Sequence, residues 1–338
     1  MSRMSPLHYQ NPVHPHDFAD PFVWHDGQRY YAIGTGRGDP ASPALAAAGV
    51  FPLLQSDDLV HWRDAGRALP ATDASLGDTF WAPEVAFAGG RWYLYYSVGF
   101  GDRRHQLRVA VADHPLGPYV DAAGLSDPAE VPFAIDPHPF QDRDGRWYLF
   151  HARDFLDTAP DGRLRVGTAL VVQALQTMTE LAPGPVHTVA RASRDWQRFA
   201  ANRPMYGGVH DWHTLEGPFV VYEGGRYWCL YSGGNWQNDT YGVDFVTSEH
   251  VLGPWHDTGG DHGPRVLRTV PGQVIGPGHC SVVTRIGAQA GDTAGRLIVY
   301  HAWGSDGQAR RMCLDPLLVG PEGPRASGPT WTPQRIQE

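Results

Sequence analysis

The sequence predicts an all-β protein, a five-bladed β-propeller formed by a single domain that spans residues 1–338. Three observations lead to this prediction: a composition typical of strands and turns, a strand unit that recurs five times, and no pattern of a long amphipathic helix. The chain contains 40 Gly, 29 Pro and 12 Trp among its 338 residues, and only 19% of its residues are charged. Because 42% are hydrophobic, the many Gly and Pro residues indicate tight turns rather than disorder.

The repeated unit is a glycine, usually accompanied by arginine, followed by a strand rich in aromatic and aliphatic residues. Its five copies begin at Gly27, Gly90, Gly145, Gly225 and Gly295. An apolar strand precedes each copy, so that strand, glycine turn and strand predict a β-hairpin. Five units of about four strands each predict propeller blades that begin near residues 18, 80, 134, 214 and 277. A β-sandwich is the alternative, and five copies in phase disfavour it.

Charge and cysteine content exclude several classes of function. The net charge is −9 and all 27 basic residues are Arg, but they form no basic cluster, which disfavours a nucleic-acid partner. Cys229, Cys280 and Cys313 show neither metal-binding spacing nor a disulfide framework, so we expect buried free thiols. Met1–Asn11 contains no apolar stretch and no run reaches the length of a membrane span, so we expect a cytoplasmic protein without a membrane partner.

Acidic residues recur where the innermost strands of four blades are predicted to begin. These residues are Asp20, Glu84, Asp136 and Glu216, and the fifth blade has His279 instead. Innermost strands line the axis of a propeller, so we expect the side chains to converge on one cavity. Three converging carboxyl groups fit glycoside hydrolysis, in which one acid protonates the leaving oxygen and one base activates water. A third carboxyl group can raise the pKa of the acid by repulsion between like charges.

The motifs around these residues resemble those of glycoside hydrolase family 43, whose members are five-bladed propellers that act on glycans containing arabinose and xylose. The resemblance extends from Asn11 to Leu318 and rests on five motifs together: Ala19-Asp20-Pro21, Trp81-Ala82-Pro83-Glu84, Ile135-Asp136-Pro137, Leu215-Glu216-Gly217-Pro218 and Gly276-Pro277-Gly278-His279. It implies that Asp20 is the general base, Glu216 the general acid, and Asp136 the residue that orients Glu216 and raises its pKa. It also implies inversion of the anomeric configuration without a covalent intermediate.

A metal site is a further implication of the resemblance. In related propellers a histidine at the position of His279 helps to hold a calcium ion, largely through water molecules. The chemistry requires no cofactor, so such a calcium ion would be structural. Because calcium takes mostly oxygen ligands, a channel histidine held by hydrogen bonds is the alternative interpretation of His279.

Other residues near the inner strand ends are candidates for substrate binding. Trp81, Phe80, His138 and Trp236 offer ring faces that can pack on sugars, although most tryptophans of such a chain belong to its core. Glu84 is expected to support the site or bind substrate. Of the neighbouring Arg310 and Arg311, we expect one, Arg311, to bind a sugar hydroxyl or to pair with a catalytic acid, and the other to lie at the surface.

Together these inferences predict an inverting, exo-acting glycosidase that releases terminal α-L-arabinofuranosyl residues from a small oligosaccharide. β-D-Xylosidase and endo-α-1,5-arabinanase activities are the enzymatic alternatives, and a sugar-binding propeller without catalysis is the non-enzymatic one. Long loops are expected from Asp39 to Gly49 and from Met205 to His213, where they can wall off a pocket. The sequence leaves the sugar, the linkage and the oligomeric state open.

Overall fold

The computed structural model describes residues 7–38, 49–70, 72–158, 164–288, 295–304 and 306–336. Within these ranges the chain forms 23 strands and one short 3₁₀ turn, Asp195–Gln197. In chain order the strands are β1 (Leu7–Tyr9), β2 (Asp17–His25), β3 (Tyr30–Gly38), β4 (Val50–Ser56), β5 (Arg63–Leu69), β6 (Thr79–Ala88), β7 (Arg91–Phe100), β8 (Arg103–Ala112), β9 (Val120–Gly124), β10 (Ala134–Gln141), β11 (Trp147–Phe155), β12 (Gly167–Thr177), β13 (Glu180–Leu181), β14 (His187–Ala190), β15 (Arg198–Met205), β16 (Gly208–Glu223), β17 (Arg226–Gly233), β18 (Gly242–Ser248), β19 (Ile275–Thr284), β20 (Arg296–Trp303), β21 (Arg310–Gly320), β22 (Gly323–Ala326) and β23 (Gln334–Ile336). No helix in the described ranges has the length and apolar character needed to cross a membrane.

Most strands form five blades in chain order, which confirms the predicted propeller. β2–β5, β6–β9 and β19–β22 are four-stranded sheets in which each strand pairs with the next. Blade three consists of β10, β11 and β12 with β14 outermost, and blade four is built on β16, β17 and β18. The innermost strands β2, β6, β10 and β19 each begin within two residues of the start that the repeats predict.

Blade four departs from its predicted start because its first strand is longer than the others. β16 has 16 residues and begins at Gly208 rather than near residue 214. Its first half pairs with β15 in a hairpin, so the loop expected from Met205 to His213 is largely a strand. The same half runs parallel to the start of β12 at Gly167, where any side chain would overlap the carbonyl oxygen of His213. The other expected loop, from Asp39 to Gly49, lies outside the described residues except for Gly49.

Hydrophobic packing between neighbouring blades closes the ring. Among the described residues, five clusters of buried side chains occupy the five blade interfaces. Leu53 of blade one packs in one cluster with Tyr96 of blade two, and Phe18 of blade one packs in another with Val299 of blade five. The three cysteines are buried free thiols within these clusters, as predicted: Cys229, Cys280 and Cys313.

The two ends of the described chain meet beside blade five. β1 pairs antiparallel with β23, and the backbone N–H of Val13 donates to the carbonyl oxygen of Met312 at 2.9 Å. The side chain of Asn11 donates to the carbonyl oxygen of Leu314 and accepts from its N–H, both at 2.9 Å. The segment after Pro321 supplies β22 and β23, and therefore contributes to this closure.

Every innermost strand contains a β-bulge at which one residue has a left-handed backbone. These residues have φ between 48° and 57° and are Asp20, Ala82, Asp136, Gly217 and His279; β19 has a second left-handed residue, Gly276, at an earlier irregularity. The pairing register of the strand shifts at this point in all five blades. A bulge bends its strand and changes the direction of nearby side chains. Left-handed backbone at a residue other than glycine is strained, so contacts from outside the strand must hold it.

Hydrogen bonds between blades provide this support. The left-handed residues of blades one, two, four and five each donate their backbone N–H to a side chain of the preceding blade, at 2.7–3.0 Å. The four acceptors are His301 for Asp20, Thr35 for Ala82, Asp136 for Gly217 and Ser232 for His279. Because four of the five bulges are fixed by the preceding blade, the positions of the side chains at the axis depend on the closure of the ring.

Candidate active site

A cavity of about 300 Å³, which we call the axial cavity, lies where the five bulges converge. Asp20, Asp136 and Glu216, which the sequence predicts to converge, all line it. The innermost strands of the other two blades contribute Trp81 and His279. The remaining described lining residues are Ile135, Asp102, Phe199, Arg203, Trp236, Gln237 and Arg310. The cavity therefore brings together side chains from all five blades.

Asp20 is buried and faces positively charged or proton-donating groups. Its Oδ1 lies 3.2 Å from Nη1 of Arg310 and 3.3 Å from Nδ1 of His279. Burial alone would raise the pKa of Asp20. The neighbouring His279 and Arg310, together with His301, outweigh burial and hold the pKa of this carboxyl well below its usual range. Burial lowers the pKa of His279, which favours the neutral form of its ring. Arg310 is therefore the cation that stays charged beside the ionised Asp20.

Glu216 is partly exposed to the cavity and has a different set of neighbours. Its Oε1 accepts a hydrogen bond of 2.6 Å from the hydroxyl group of Tyr241. Burial raises the pKa of Glu216 to about 7, and the negative charge of Asp20 acts in the same direction. The Tyr241 hydrogen bond and the charge of Arg310 oppose this shift. A substantial fraction of Glu216 therefore carries a proton near neutral pH.

Asp136 lies between these two groups in chain order and is linked to both electrostatically. Its Oδ2 accepts the backbone N–H of Gly217 at 2.8 Å, directly beside Glu216. Burial and the neighbouring carboxyl groups of Glu216 and Asp20 raise the pKa of Asp136 well above its usual range. Asp136 thus holds a proton while Asp20 is ionised, and it fixes the backbone that carries Glu216.

The arrangement has the two protonation states that acid–base chemistry requires. One carboxyl group is ionised and can accept a proton, and another is partly protonated near neutral pH and can donate one. Both line one cavity that a small ligand can enter. The chemistry fits displacement at an acetal carbon, in which water is deprotonated while the leaving oxygen is protonated.

Comparison with known proteins identifies the family. The family model described as "Glycosyl hydrolases family 43" matches residues 9–323. The chain belongs to this family. Its fold is that of the family's solved structures: a thermostable family-43 glycoside hydrolase superposes with a TM-score of 0.79 and 27% sequence identity, over 98% of this chain and 99% of the other.

Curated family-43 relatives differ in what they cleave. The chain is 25% identical over 330 residues to the β-D-galactofuranosidase xynD of Aspergillus niger, covering 93% of this chain and 83% of that protein. It is also 25% identical over 309 residues to the extracellular endo-α-(1→5)-L-arabinanase 1 of Bacillus subtilis, covering 84% and 79%. Membership of the family establishes that the chain is a glycoside hydrolase. Relatives with such different substrates do not identify the sugar that it releases.

Two of the predicted aromatic residues line the family-43 cavity, and each is supported by a second ring. Trp81 stacks on His105 with 3.8 Å between ring centroids and 19° between planes. Burial lowers the pKa of His105 to about 4, so this supporting ring is neutral near pH 7. Trp236 lies 6.1 Å from Trp303 in a stacked pair, and the guanidinium group of Arg310 lies 4.4 Å from the Trp236 ring centroid.

Two other predicted substrate residues do not line the axial cavity. Phe80 packs against Phe51 and Tyr96 in the core between blades one and two. Arg311 pairs with Asp306 and donates to the carbonyl oxygen of Pro15 at 2.9 Å. Side chains alternate along a strand, so the neighbouring Arg310 of β21 points to the opposite face and reaches Asp20. Arg310, rather than the predicted Arg311, is therefore the arginine that lines the axial cavity and pairs with Asp20.

Glu84 and His138 lie next to the cavity lining but not in it. Glu84 follows the left-handed Ala82 by two residues, and His138 follows Asp136 by two, so Glu84 does not occupy the position of the other acids. Both are buried, and Nδ1 of His138 lies 2.7 Å from Oε2 of Glu84. Nε2 of His138 accepts the backbone N–H of Val220. The pair connects three blades beneath the cavity instead of contacting a ligand there.

The predicted calcium ion depends on the ligands around His279. Nδ1 of His279 is directed to Asp20, and a side chain at Gly217 would come within 3.1 Å of its ring. The described part of the chain contains no group of three or more His, Cys, Asp or Glu side chains that could hold a metal. These side chains do not fit the oxygen-rich shell that calcium prefers. Calcium stays a prediction, and no step proposed below depends on it.

Several residues at the cavity carry no signal in the sequence. Tyr241 precedes β18, and Asp102 and Arg203 lie on two different hairpins that meet only in the folded chain. Nη2 of Arg203 lies 2.9 Å from Oδ2 of Asp102, across the cavity wall. His301 is fully buried in β20, with Nδ1 at the backbone of Asp20. Among the cavity residues that were not predicted, Arg310 is the one for which the sequence offered a clue. Side chains alternate along β21, so Arg310 and Arg311 must point to opposite faces.

Proposed function

We propose that this family-43 protein is an inverting glycosidase that releases terminal α-L-arabinofuranosyl residues from arabinose-containing oligosaccharides. The observation that carries the proposal is the convergence of three carboxyl groups on one cavity, with Arg310 beside Asp20 and Tyr241 beside Glu216. These surroundings lower the pKa of Asp20 well below its usual range and leave that of Glu216 raised to about 7. This is the division between general base and general acid that a single displacement by water requires.

In the proposed reaction, water enters on the side of Asp20. Asp20 takes a proton from the water as its oxygen bonds to the anomeric carbon. The bond from that carbon to the leaving oxygen breaks, and Glu216 transfers its proton to this oxygen. The cycle leaves Asp20 protonated and Glu216 ionised, and exchange with solvent restores both. Because water attacks opposite to the leaving group, the configuration at the anomeric carbon inverts.

Asp136 acts in this scheme as a positioning residue. It accepts the N–H of Gly217, so a change in its side chain would shift the backbone beside Glu216. Its own raised pKa keeps it protonated when the acid is needed. Arg310 keeps Asp20 ionised, and it is itself held between Asp20 and the ring of Trp236.

Action on a terminal residue is supported by the size and walls of the cavity. Its volume of about 300 Å³ lies at the lower end of the range for ligand pockets, which suits a single sugar unit. The Arg203–Asp102 ion pair links two hairpins at its wall. Arabinose as the sugar is supported by the resemblance of the motif contexts to arabinan-acting members and by the arabinanase among the relatives.

A second candidate is endo-α-1,5-arabinanase activity, since a larger groove adjoins the cavity. The test is hydrolysis of p-nitrophenyl α-L-arabinofuranoside, p-nitrophenyl β-D-xyloside and linear arabino-oligosaccharides in parallel. Release of arabinose from the first and the third supports the proposal. Xylose release alone would assign a β-xylosidase, internal cleavage of long chains alone an endo-arabinanase, and no hydrolysis of any of them would contradict an enzyme acting on these sugars.

A further inference from the structure

A second depression adjoins the axial cavity, and we call it the hairpin groove. Its walls are residues 102–104 at the turn from β7 to β8 and residues 204–209 at the turn from β15 to β16. Pro132 and Phe133 complete the described lining. Its volume of about 850 Å³ exceeds the 300 Å³ of the axial cavity, which is room for more than one further sugar unit.

A narrow passage of about 90 Å³ lies between the two spaces. Trp81 and Glu216 line both the axial cavity and this passage, and Phe133 and Met205 line both the passage and the hairpin groove. Asp102 lines all three. The shared lining residues therefore place the passage directly between the axial cavity and the hairpin groove.

The passage begins on one particular side of the axial cavity. Glu216 lines the passage, whereas Asp20, His279 and Arg310 line the cavity but not the passage. The passage thus meets the axial cavity at the proposed acid, and the proposed base is not part of the passage lining. In an inverting displacement the leaving group departs on the acid's side and water arrives from the base's side. The direction of the passage therefore identifies which part of a substrate enters the groove.

The wall formed by β15 and β16 is fixed to other blades at two points. Arg203 pairs with Asp102 of the β7–β8 turn at 2.9 Å. The hydroxyl group of Tyr206 donates to Oδ2 of Asp154 in blade three at 2.7 Å, and Thr168 donates to the other oxygen of Asp154 at 2.8 Å. These bonds hold the hairpin over the groove while leaving large side chains accessible: Tyr206 is 44% exposed and Val209 is 65% exposed.

We propose that the hairpin groove binds the sugar units on the leaving-group side of the cleaved bond, so that the enzyme acts faster on longer oligosaccharides than on a disaccharide. The inference rests on the proposed function, since it uses Glu216 as the acid. Its wall combines the exposed surfaces of Tyr206 and Val209 with the donors of Arg103 and Arg104, a mixture that suits the apolar faces and hydroxyl groups of a neutral sugar chain.

The test compares kcat/KM for the disaccharide and the tetrasaccharide of the sugar that the enzyme releases, as linear arabino- or xylo-oligosaccharides. For the wild type, we expect the tetrasaccharide to be cleaved with a kcat/KM about tenfold above that of the disaccharide, because binding of remote units lowers the barrier. Tyr206→Ala and Val209→Asp should each reduce this ratio by about threefold or more. Tyr206→Ala also removes the Tyr206–Asp154 hydrogen bond and can therefore loosen the hairpin. Val209→Asp leaves this bond intact, so it tests the groove surface separately from the position of the hairpin.

The matched control is Val120→Asp in β9, because Val120 is 67% exposed and lies outside the groove. This variant should keep both the activity and the ratio of the wild type. Equal kcat/KM for both oligosaccharides in the wild type would overturn the proposal, and so would equal losses on both in the two groove variants. If the wild type cleaves neither oligosaccharide nor any p-nitrophenyl glycoside, the proposed function itself fails, which is a different result.

Discussion

Asp20 and Glu216 share one cavity, but their surroundings on the blade-one and blade-four sides oppose each other. Burial raises the pKa of both groups. On the blade-one side, Arg310 and His279 outweigh burial and the pKa of Asp20 falls well below its usual range. On the blade-four side, burial prevails over the opposing Tyr241 hydrogen bond, and the pKa of Glu216 rises to about 7. The difference indicates that the close partners, rather than burial alone, set the pKa of the proposed base apart from that of the proposed acid.

Removal of the proposed base should have the largest effect. Asp20→Ala removes the only group on the blade-one side that is proposed to accept the proton of water, so we expect kcat/KM to fall by about a thousandfold or more on every substrate. Steady-state kinetics on an aryl glycoside and on an oligosaccharide measure this. Activity within a few-fold of the wild type on either substrate would exclude Asp20 as the base.

The next largest effect should come from the cation beside the base. Arg310→Met removes the permanent charge that lowers the pKa of Asp20, so this pKa rises and the acid limb of the kcat/KM profile moves to higher pH. We expect an accompanying loss of about ten- to a hundredfold. Arg311→Met is the matched control, since Arg311 pairs with Asp306 and faces away from Asp20. If both variants lost activity equally without a change in pH profile, the account of Asp20 would be wrong.

A smaller effect is expected on the blade-four side. Tyr241→Phe removes a hydrogen bond that lowers the pKa of Glu216. The pKa of Glu216 then rises above about 7, so the alkaline limb, where Glu216 loses its proton, moves to higher pH. At the optimum we expect a loss of about threefold. Tyr231→Phe, which removes a buried hydroxyl bonded to Gln197, should leave the profile in place. A shift of the alkaline limb to lower pH in Tyr241→Phe would contradict this assignment.

The smallest effect on catalysis should come from the layer beneath the cavity. Glu84→Ala leaves Nδ1 of His138 without its partner and creates a void, so we expect the free energy of unfolding to fall by about 2–4 kcal/mol. Both limbs of the pH profile should stay where they are. Urea unfolding and the kcat/KM profile measure the two quantities. A displaced pH profile with unchanged stability would restore Glu84 to the site.

Local patterns were sufficient to predict the propeller and the convergence of three acids. The glycine hairpins recur in phase, and the Asp-Pro and Glu-Gly-Pro motifs mark the inner strands on which the axial cavity is built. The order of the motifs, however, does not show which residue of a strand occupies the bulge. Glu84 follows a proline just as the motifs suggest, but the left-handed residue of its strand is Ala82, which places Glu84 two positions beyond the catalytic level.

Contacts between distant segments could not be predicted from the sequence, for a different reason. Arg203 meets Asp102 and Tyr241 meets Glu216 only because the blades close into a ring. The face of β21 that points inward depends on pairing with β20, so Arg310 and Arg311 look equivalent in the sequence. The roles of the acids, the calcium ion and the cytoplasmic location stay predictions.

The assignment of Glu216 as the acid is tested most directly by the leaving-group dependence of Glu216→Ala. Kinetics on a natural oligosaccharide and on a p-nitrophenyl glycoside of the same sugar provide the comparison. The account predicts a large loss on the oligosaccharide and a much smaller loss on the p-nitrophenyl glycoside, because the activated leaving group departs with little protonation. Equal losses on both substrates would contradict the separation of acid and base between the two sides of the cavity.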